Sequence, residues 1–455
     1  LDFPVKRVLV NLSPADIKKK GSSFDLGIFL GILSNIGKIR NIENFKNYLI
    51  LGEISLNGEV KSVKGAINAT ILAKEKGIRG VIIPYENYDE AYLISGVEIV
   101  PVSKIEEAVS FLNGKISLDE LHKNMKAKMN LKKNEKSKRN KEERNGVDFS
   151  DVKGQFLAKR AMEIAAAGGH NIFLMGDPGS GKSMLAKRFV TILPEMSEKE
   201  IIETTKIYSI SGMLSPDKPV ITERPFRAPH HSATQTALVG GAIRAGEITL
   251  ALNGIFFMDE LGEFGTRTLE TLRQPLEDGS VTISRANLIV NYPVNNIMIA
   301  ASNPTPGGFF QDDPQCKDSL RDIKNYQKKF SGPLLDRIDL YVEMRRLKKE
   351  EIFSECESES SEIIRKRVIK AREIQKKRFN EDFLNGKMSR KQISEYCKID
   401  SETKKVLERA IDELKLSVRA YDKILKVSRT IADLESSKKI KTEHLLEALN
   451  YRKKY

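Results

Sequence analysis

The 455 residues, 40% hydrophobic and 30% charged, suffice for two or three domains with real cores and exclude a low-complexity or fibrous polymer. The net charge of +14 is concentrated in residues 115–146 and beyond 346, which admits a nucleic-acid partner, although a Lys- and Asn-rich composition from AT-rich coding produces the same excess. No apolar run approaches the roughly 20 residues a bilayer crossing needs, no signal-peptide pattern is present, and Cys316, Cys356 and Cys397 form no C-x-x-C pair, so the expectation is a cytoplasmic protein with no membrane span, no disulfide framework and no cysteine zinc site.

Residues 1–114 alternate short apolar runs with helical ones: RVLVNL, a helix over FDLGIFLGILSNIG, YLILGEISL, a helix over INATILAKEKG, then GVIIP and VEIVPV. That alternation predicts an α/β or α+β domain. Residues 115–146 turn polar and Lys-rich, with too few apolar side chains to bury, and read as a basic flexible linker. The chemistry-bearing motifs fall in 147–345, the expected ATPase core. From 346 to 455 the pattern is almost wholly helical, with charged helices around 361–379, 401–414 and 420–434, and reads as a C-terminal helical lid.

The run GDPGSGKS, Gly176 to Ser183, follows the apolar, strand-like NIFLM and precedes the helical MLAKRFVTIL. Strand, glycine-rich loop and helix come in the order that phosphate binding needs. Gly176, Gly179 and Gly181 let the backbone turn tightly, and Asp177, Pro178 and Ser180 complete a loop whose N–H groups face phosphate oxygens. Lys182 reaches the β- and γ-phosphates, the Ser183 hydroxyl holds Mg²⁺, and the helix directs its positive end at the anion. GIFFMDE, 254–260, is an apolar strand ending in two carboxylates: Asp259 to hold Mg²⁺ and Glu260 to polarise the attacking water. ATP and Mg²⁺ are the expected cofactors.

A third apolar strand, NIMIAASN, ends at Asn303, whose amide would bond both the γ-phosphate and the water. In SGPLLDRIDL, Arg337 reads equally as an arginine entering a neighbouring active site and as a surface ion pair with Asp336 or Asp339. VTIS and LIVNYP flank a short turn, predicting a hairpin with Arg285 near its tip. Such a basic tip either touches a DNA phosphate or is a solvated arginine on a packed hairpin. Arg227, His230 and His231 make a second basic and polar loop and a second DNA-contact candidate. Adjacent histidines are expected to point apart, and no third ligand is spaced nearby, so metal is not expected there.

Together these pieces resemble the magnesium-chelatase-like branch of AAA+ ATPases over essentially the whole chain. The most specific marks are RPFRAPHHSATQTALVGG (224–241) and LSVRAYDKILKVSRTIADLE (416–435), followed by GIFFMDELGEF, LRQPLEDGSVTISRA and SGPLLDRIDL. The resemblance implies an α/β fold, an AAA+ P-loop αβα sandwich with a helical C-terminal lid. It places Asn303 at sensor 1, Arg419 at sensor 2 and Arg337 at the arginine finger, a group worth about 10³ to 10⁵ in rate. It makes the 276–293 hairpin a pore element of a hexameric ring. The implied activity is an ATP-driven helicase-type motor on single-stranded or branched DNA, moving branch points in natural transformation and homologous recombination alongside recombination proteins. The alternative is a chelatase-type or protein-remodelling ATPase that does not act on DNA.

Two departures from the family pattern carry expectations. Members typically have a small cysteine cluster after the sensor asparagine, whereas NPTPGGFFQDDPQCKDS keeps only Cys316, so this loop must be held by packing. Residues 1–114 also resemble the proteolytic domain of Lon, notably in LGEISLNGEVKSVKGAINATILAKEKGIRGVIIPYEN. Ser23 takes the nucleophile position, but the lysine position falls at Ile67, which cannot accept a proton. A structural or subunit-contact domain without peptidase activity is expected, and one that is N-terminally incomplete because the chain opens at an internal strand of that domain.

Overall fold

The computed structural model describes residues 7–12, 21–126, 147–241, 244–285, 288–330, 332–347, 358–414 and 416–452. Most of the stretch expected to be linker, 127–146, lies outside them. The chain divides into two compact units. The first comprises Leu1–Asn145, Ser197–Thr222 and Ser284–Ile289, and the second comprises Gly146–Met196, Glu223–Ile283 and Val290–Tyr455.

In the first unit the strands are β1 (Tyr48–Ile50), β2 (Glu53–Ile54), β3 (Val60–Lys61), β4 (Gly80–Pro84) and β5 (Glu98–Val102). A parallel sheet runs in the order β1-β4-β5, and β2 pairs antiparallel with β3. The continuous apolar run GVIIP is buried throughout because both faces of β4 are covered. Ile82 packs with Leu26, Leu30 and Leu33 of the helix Asp25–Asn35, while its neighbours Val81 and Ile83 pack with Ala66 and Ala73 of the helix Ala66–Glu75 on the other face.

Three sequence expectations change here. RVLVNL, read as a strand, is irregular over 7–12, and Leu9 is 91% exposed. The polar stretch begins later than Lys115, since 118–126 is helical and buries Leu121 and Met125. The helix Glu198–Ser211, assigned by position to the ATPase core, belongs to this unit instead. Its capping box, Ser197 with Glu200, starts it, and Ser209 Oγ accepts a hydrogen bond from Gly65 N at 2.9 Å. Its apolar face is satisfied by the helix Ala66–Glu75; long-range packing of this kind leaves no local mark in the chain.

The second unit holds β6 (Ile172–Gly176), β7 (Phe226–Arg227), β8 (Gly240–Gly241), β9 (Arg244–Ala245), β10 (Ile255–Met258), most of β11 (Ser280–Arg285) and β12 (Leu288–Pro293), whose tip Ser284–Ile289 counts with the first unit, and β13 (Ile297–Ser302) and β14 (Leu340–Met344). Five of them form a wholly parallel sheet in the order β14-β6-β13-β10-β7. β8 with β9, and β11 with β12, make separate two-stranded ribbons. The strands IFLMG, IFFM and IMIAAS read as unbroken apolar runs because parallel sheets are covered on both faces.

The helix Phe156–Gly168 lies on one face of this sheet, and its Ala165, Ala166 and Ala167 permit close approach of the lid helices Ser361–Phe379 and Val418–Leu434. Within the lid, Asp433 is fully buried and is satisfied by Arg378, by Arg429 at 3.0 Å and by Asn385 Nδ2 at 2.8 Å. These contacts tie parts of the lid to one another, and removing one partner would leave a buried charge under-satisfied. The fold is therefore the α/β AAA+ sandwich with a helical C-terminal lid, preceded by an α/β domain. No helix of the described residues is long and apolar enough to cross a membrane.

Candidate functional site

In a parallel sheet, ligands bind at the carboxyl ends of the strands where the connection order reverses. Here that point lies at β6, flanked by β14 and β13. Strand β6 ends at Gly176, which only glycine fits, because a Cβ there would run into the Met344 carbonyl of β14. Gly179 and Gly181 have φ of 79° and 93°, left-handed values that bring the loop round to the helix Lys182–Arg188.

Lys182 is 9% exposed, and its Nζ donates to Gly176 O at 2.5 Å, Asp177 O at 2.9 Å and Asn303 Oδ1 at 3.2 Å. Burial lowers its pKa, with the charges of Asp259, Asp177 and Glu260 opposing. Ser183 Oγ donates to Asp259 Oδ2 at 2.7 Å. A hydroxyl and a carboxylate converging at the end of a phosphate loop make an oxygen donor pair suited to a hard divalent cation, so Ser183 and Asp259 fit Mg²⁺. Glu260 follows in a left-handed conformation (φ 49°), and its side chain is 60% exposed. The sequence-read groups Gly176 to Ser183, Asp259, Glu260 and Asn303 thus meet at one place. The strand register explains it: Met258 pairs with Ala300 and Ala300 with Phe173, so β10, β13 and β6 end within a few residues of one another.

The loop is also held from behind by residues that sequence reasoning passed over. Asp177 accepts from the backbone N–H of Phe310 at 3.4 Å and of Arg346 at 3.3 Å, and Pro178 O accepts from Arg346 Nε at 3.1 Å. Gln155, itself left-handed at φ 51°, donates Nε2 to Ser180 O at 3.2 Å and Arg345 O at 2.8 Å. The segment that lacks the cysteine cluster joins this assembly. Arg345 lies 4.8 Å over the Phe310 ring and pairs with Asp312 at 2.8 Å, Arg346 lies 5.0 Å over Phe309, and Gly307 N donates to Asp318 at 2.8 Å. Cation–π contacts and an ion pair pin this loop. The FF and RR doublets that meet are more than thirty residues apart, so no local pattern announces them.

Of the remaining sequence candidates, His231 touches the site at Glu260. Arg337, read as a finger or as an ion pair with Asp336 or Asp339, is paired with Glu277, and its side chain is only 10% exposed. Arg419 lies 3.6 Å from the same Glu277 and 3.8 Å from Asp336. Both arginines thus gather on one carboxylate, that of Glu277. Arg227 makes a two-pronged ion pair with Glu247, at 2.7 and 2.8 Å, so it braces its own unit instead of presenting a loose basic loop.

The histidine rings do not point apart as expected. They lie side by side, 4.0 Å between centroids, because His230 Nδ1 meets Ser232 Oγ at 2.8 Å and His231 Nδ1 faces Glu260 Oε2 at 3.3 Å. Among the described residues no group of three or more His, Cys, Asp or Glu is placed to hold a metal ion. Arg285 ends β11, and the turn itself, Ala286 and Asn287, lies outside the described residues. In the first unit Ile67 is fully buried, its N–H facing Glu90 at 3.4 Å, and Lys64 lies against Gly212.

Fold and site together define a P-loop ATPase of the AAA+ class with a helical lid. Family models agree over three stretches: "Magnesium chelatase, subunit ChlI" matches residues 148–352, its C-terminal model matches 358–452, and "Subunit ChlI of Mg-chelatase" matches 1–87. The chain is 41% identical over 454 residues to the competence protein ComM of Haemophilus influenzae, covering 99% of this chain and 86% of that protein. It is 38% identical over 455 residues to the protein YifB of Escherichia coli, with the same coverage. A more distant likeness, 23% over 311 residues, is to the DNA replication licensing factor mcm6 of Dictyostelium discoideum, covering 64% of this chain and 31% of that protein. The chain belongs to the ComM/YifB family of magnesium-chelatase-like AAA+ ATPases.

Proposed function

We propose that the chain is an ATP-hydrolysing DNA motor that assembles as a hexameric ring and moves branch points during the uptake and recombination of DNA. The observation that carries the catalytic half is the convergence of Lys182, Ser183, Asp259, Glu260 and Asn303 at the ends of three neighbouring strands. The DNA half is supported by the hairpin β11–β12 with Arg285 at its end, and by the similarity to a competence protein and, distantly, to a replication licensing factor.

The P-loop N–H groups and Lys182 bind and orient the triphosphate, and Ser183 with Asp259 would hold Mg²⁺, which when bound neutralises charge on the phosphate oxygens. Glu260 orients the attacking water, and the Asn303 amide, already turned toward Lys182, fixes the γ-phosphate beside it. Arg337 reaches the nucleotide of an adjacent subunit, and Arg419 joins it from the lid. Arg285 and His230 remain the DNA-contact candidates, since Arg227 is tied to Glu247 and His231 to Glu260. The first unit serves structure or subunit contact without peptidase activity, because the position a lysine would need is Ile67 in the core.

Steady-state ATPase measurements with no DNA, single strands, duplex and a four-way junction test the proposal, with Glu260→Gln as control. Stimulation greatest with the junction and absent in the variant is expected. Equal rates with and without DNA would refute the DNA motor and favour a chelatase-type or protein-remodelling role.

A further inference from the structure

We propose that Glu277 is a latch: it holds Arg337 and Arg419 until a phosphoryl group draws them away, and it passes their release to the root of the β11–β12 hairpin. Each of its two carboxylate oxygens is taken by a different arginine, Oε2 by Arg337 Nη2 and Oε1 by Arg419 Nη2 at 3.6 Å. A guanidinium carries five donors, and Arg337 is poorly served by this arrangement. Its Nε is buried with no hydrogen-bond partner, although its side chain is only 10% exposed. A buried, under-satisfied guanidinium is a standing penalty that a polyanion with several oxygens relieves. The arginine backbone, by contrast, stays fixed: Asn171 Nδ2 donates to Arg337 O at 3.1 Å, so release is a side-chain movement.

Glu277 occupies the end of the helix Arg273–Asp278, which closes at Gly279 (φ 65°) immediately before β11 begins at Ser280. Val294 N donates to Gly279 O at 2.8 Å, tying both legs of the hairpin to that one residue. A shift of Glu277 is therefore delivered to the hairpin root across a single residue pair. The inference rests on the proposed function for the reach of Arg337 and Arg419 to a neighbouring subunit's nucleotide, and on the motor reading for what the hairpin does.

The test is Glu277→Gln in the full chain, with steady-state ATPase read against ATP concentration. Without the carboxylate Arg337 starts free and Arg419 keeps only Asp336, so the DNA-free kcat rises by at least about 5-fold, the lower end of coupling between two sites, with KM unchanged. The factor by which DNA stimulates falls correspondingly. Glu277→Asp keeps the charge and stays close to the wild type, which a merely structural role does not require. A folded Glu277→Gln protein whose DNA-free rate is unchanged or lower overturns the latch. Should that variant not fold, hydrogen exchange of the wild type decides: a non-hydrolysable ATP analogue at ring-forming concentration is expected to loosen amides of 273–279, and unchanged exchange overturns the proposal. A wild type that DNA does not stimulate refutes the motor reading while leaving the DNA-free comparison intact.

Discussion

Replacing Phe310 by Ala separates a P-loop braced by packing from one that is self-sufficient. Phe310 is 9% exposed, its ring lies under Arg345, and its N–H reaches Asp177 inside the phosphate loop. Burial of a side chain this size is worth about 1.5 to 3 kcal/mol, and truncation of a core Phe to Ala costs about 3 to 5 kcal/mol once the cavity is included. Thr305 Oγ1, bonded to Phe309 O at 2.9 Å, and Gly307, bonded to Asp318, still anchor the loop, so only the transfer part is expected at the nucleotide.

At 1.4 kcal/mol per tenfold, that part weakens ATP binding by about 10- to 100-fold. Arg345→Ala removes the exposed ion pair with Asp312 and the cation–π contact, the latter worth about 0.5 to 1 kcal/mol at an exposed site, and is expected to cost less than Phe310→Ala. The assay is titration with a fluorescent ATP analogue, alongside thermal melting. If Phe310→Ala binds nucleotide as the wild type does, or if Arg345→Ala is the more damaging change, the bracing argument is wrong.

Glu260→Gln is expected to keep nucleotide affinity and lower kcat by at least about 10²-fold, measured by phosphate release. Gly168→Ala places a Cβ against His170 and Thr430, both fully buried, and is expected to cost about 1 to 3 kcal/mol in urea unfolding. Asp339 gives a pH signature. Burial pushes its carboxyl up, but Lys423, His170 and the Asn171 N–H outweigh it and hold it well below the usual range. Lys423 responds differently, since burial takes it down to about 8 even with Asp339 opposing, because it also meets the like charges of Arg452 and Arg337. Because the folded pKa of Asp339 lies below the unfolded value of about 3.9, its stabilisation is complete above that pH and is lost as the pH falls through the folded value. Asp339→Asn is expected to lower stability at about pH 7 and flatten the acid limb, checked by urea midpoints at about pH 7 and about pH 3. A zinc-selective chelator is expected to leave the melting temperature unchanged, since the 304–318 loop is held by side chains.

The P-loop and the strand ending in Asp259 and Glu260 were legible because glycine spacing and apolar runs are local and unambiguous. The lid helices over Ser361–Phe379 and Ser401–Leu414 were equally legible from their helical pattern. RVLVNL was not, because β propensity is a weak local preference that tertiary context overrides. The side-by-side histidines were misjudged for a similar reason: ring orientation follows from Ser232 and Glu260, one of them almost thirty residues away.

The sequence by itself determined the nucleotide chemistry, since a phosphate loop is built mostly from the backbone of contiguous residues and needs only glycines, Lys182 and Ser183 in order. It determined the family through runs such as 224–241 and 416–435. The tertiary structure decided what those parts lean on: Phe310 and the Arg345–Arg346 pair behind the loop, the helix Glu198–Ser211 assigned to the first unit, and Arg337 with Arg419 gathered on Glu277. Each is a contact between residues far apart in the chain. Its energy depends on distance and burial in the folded state, and neither quantity is written in local residue order.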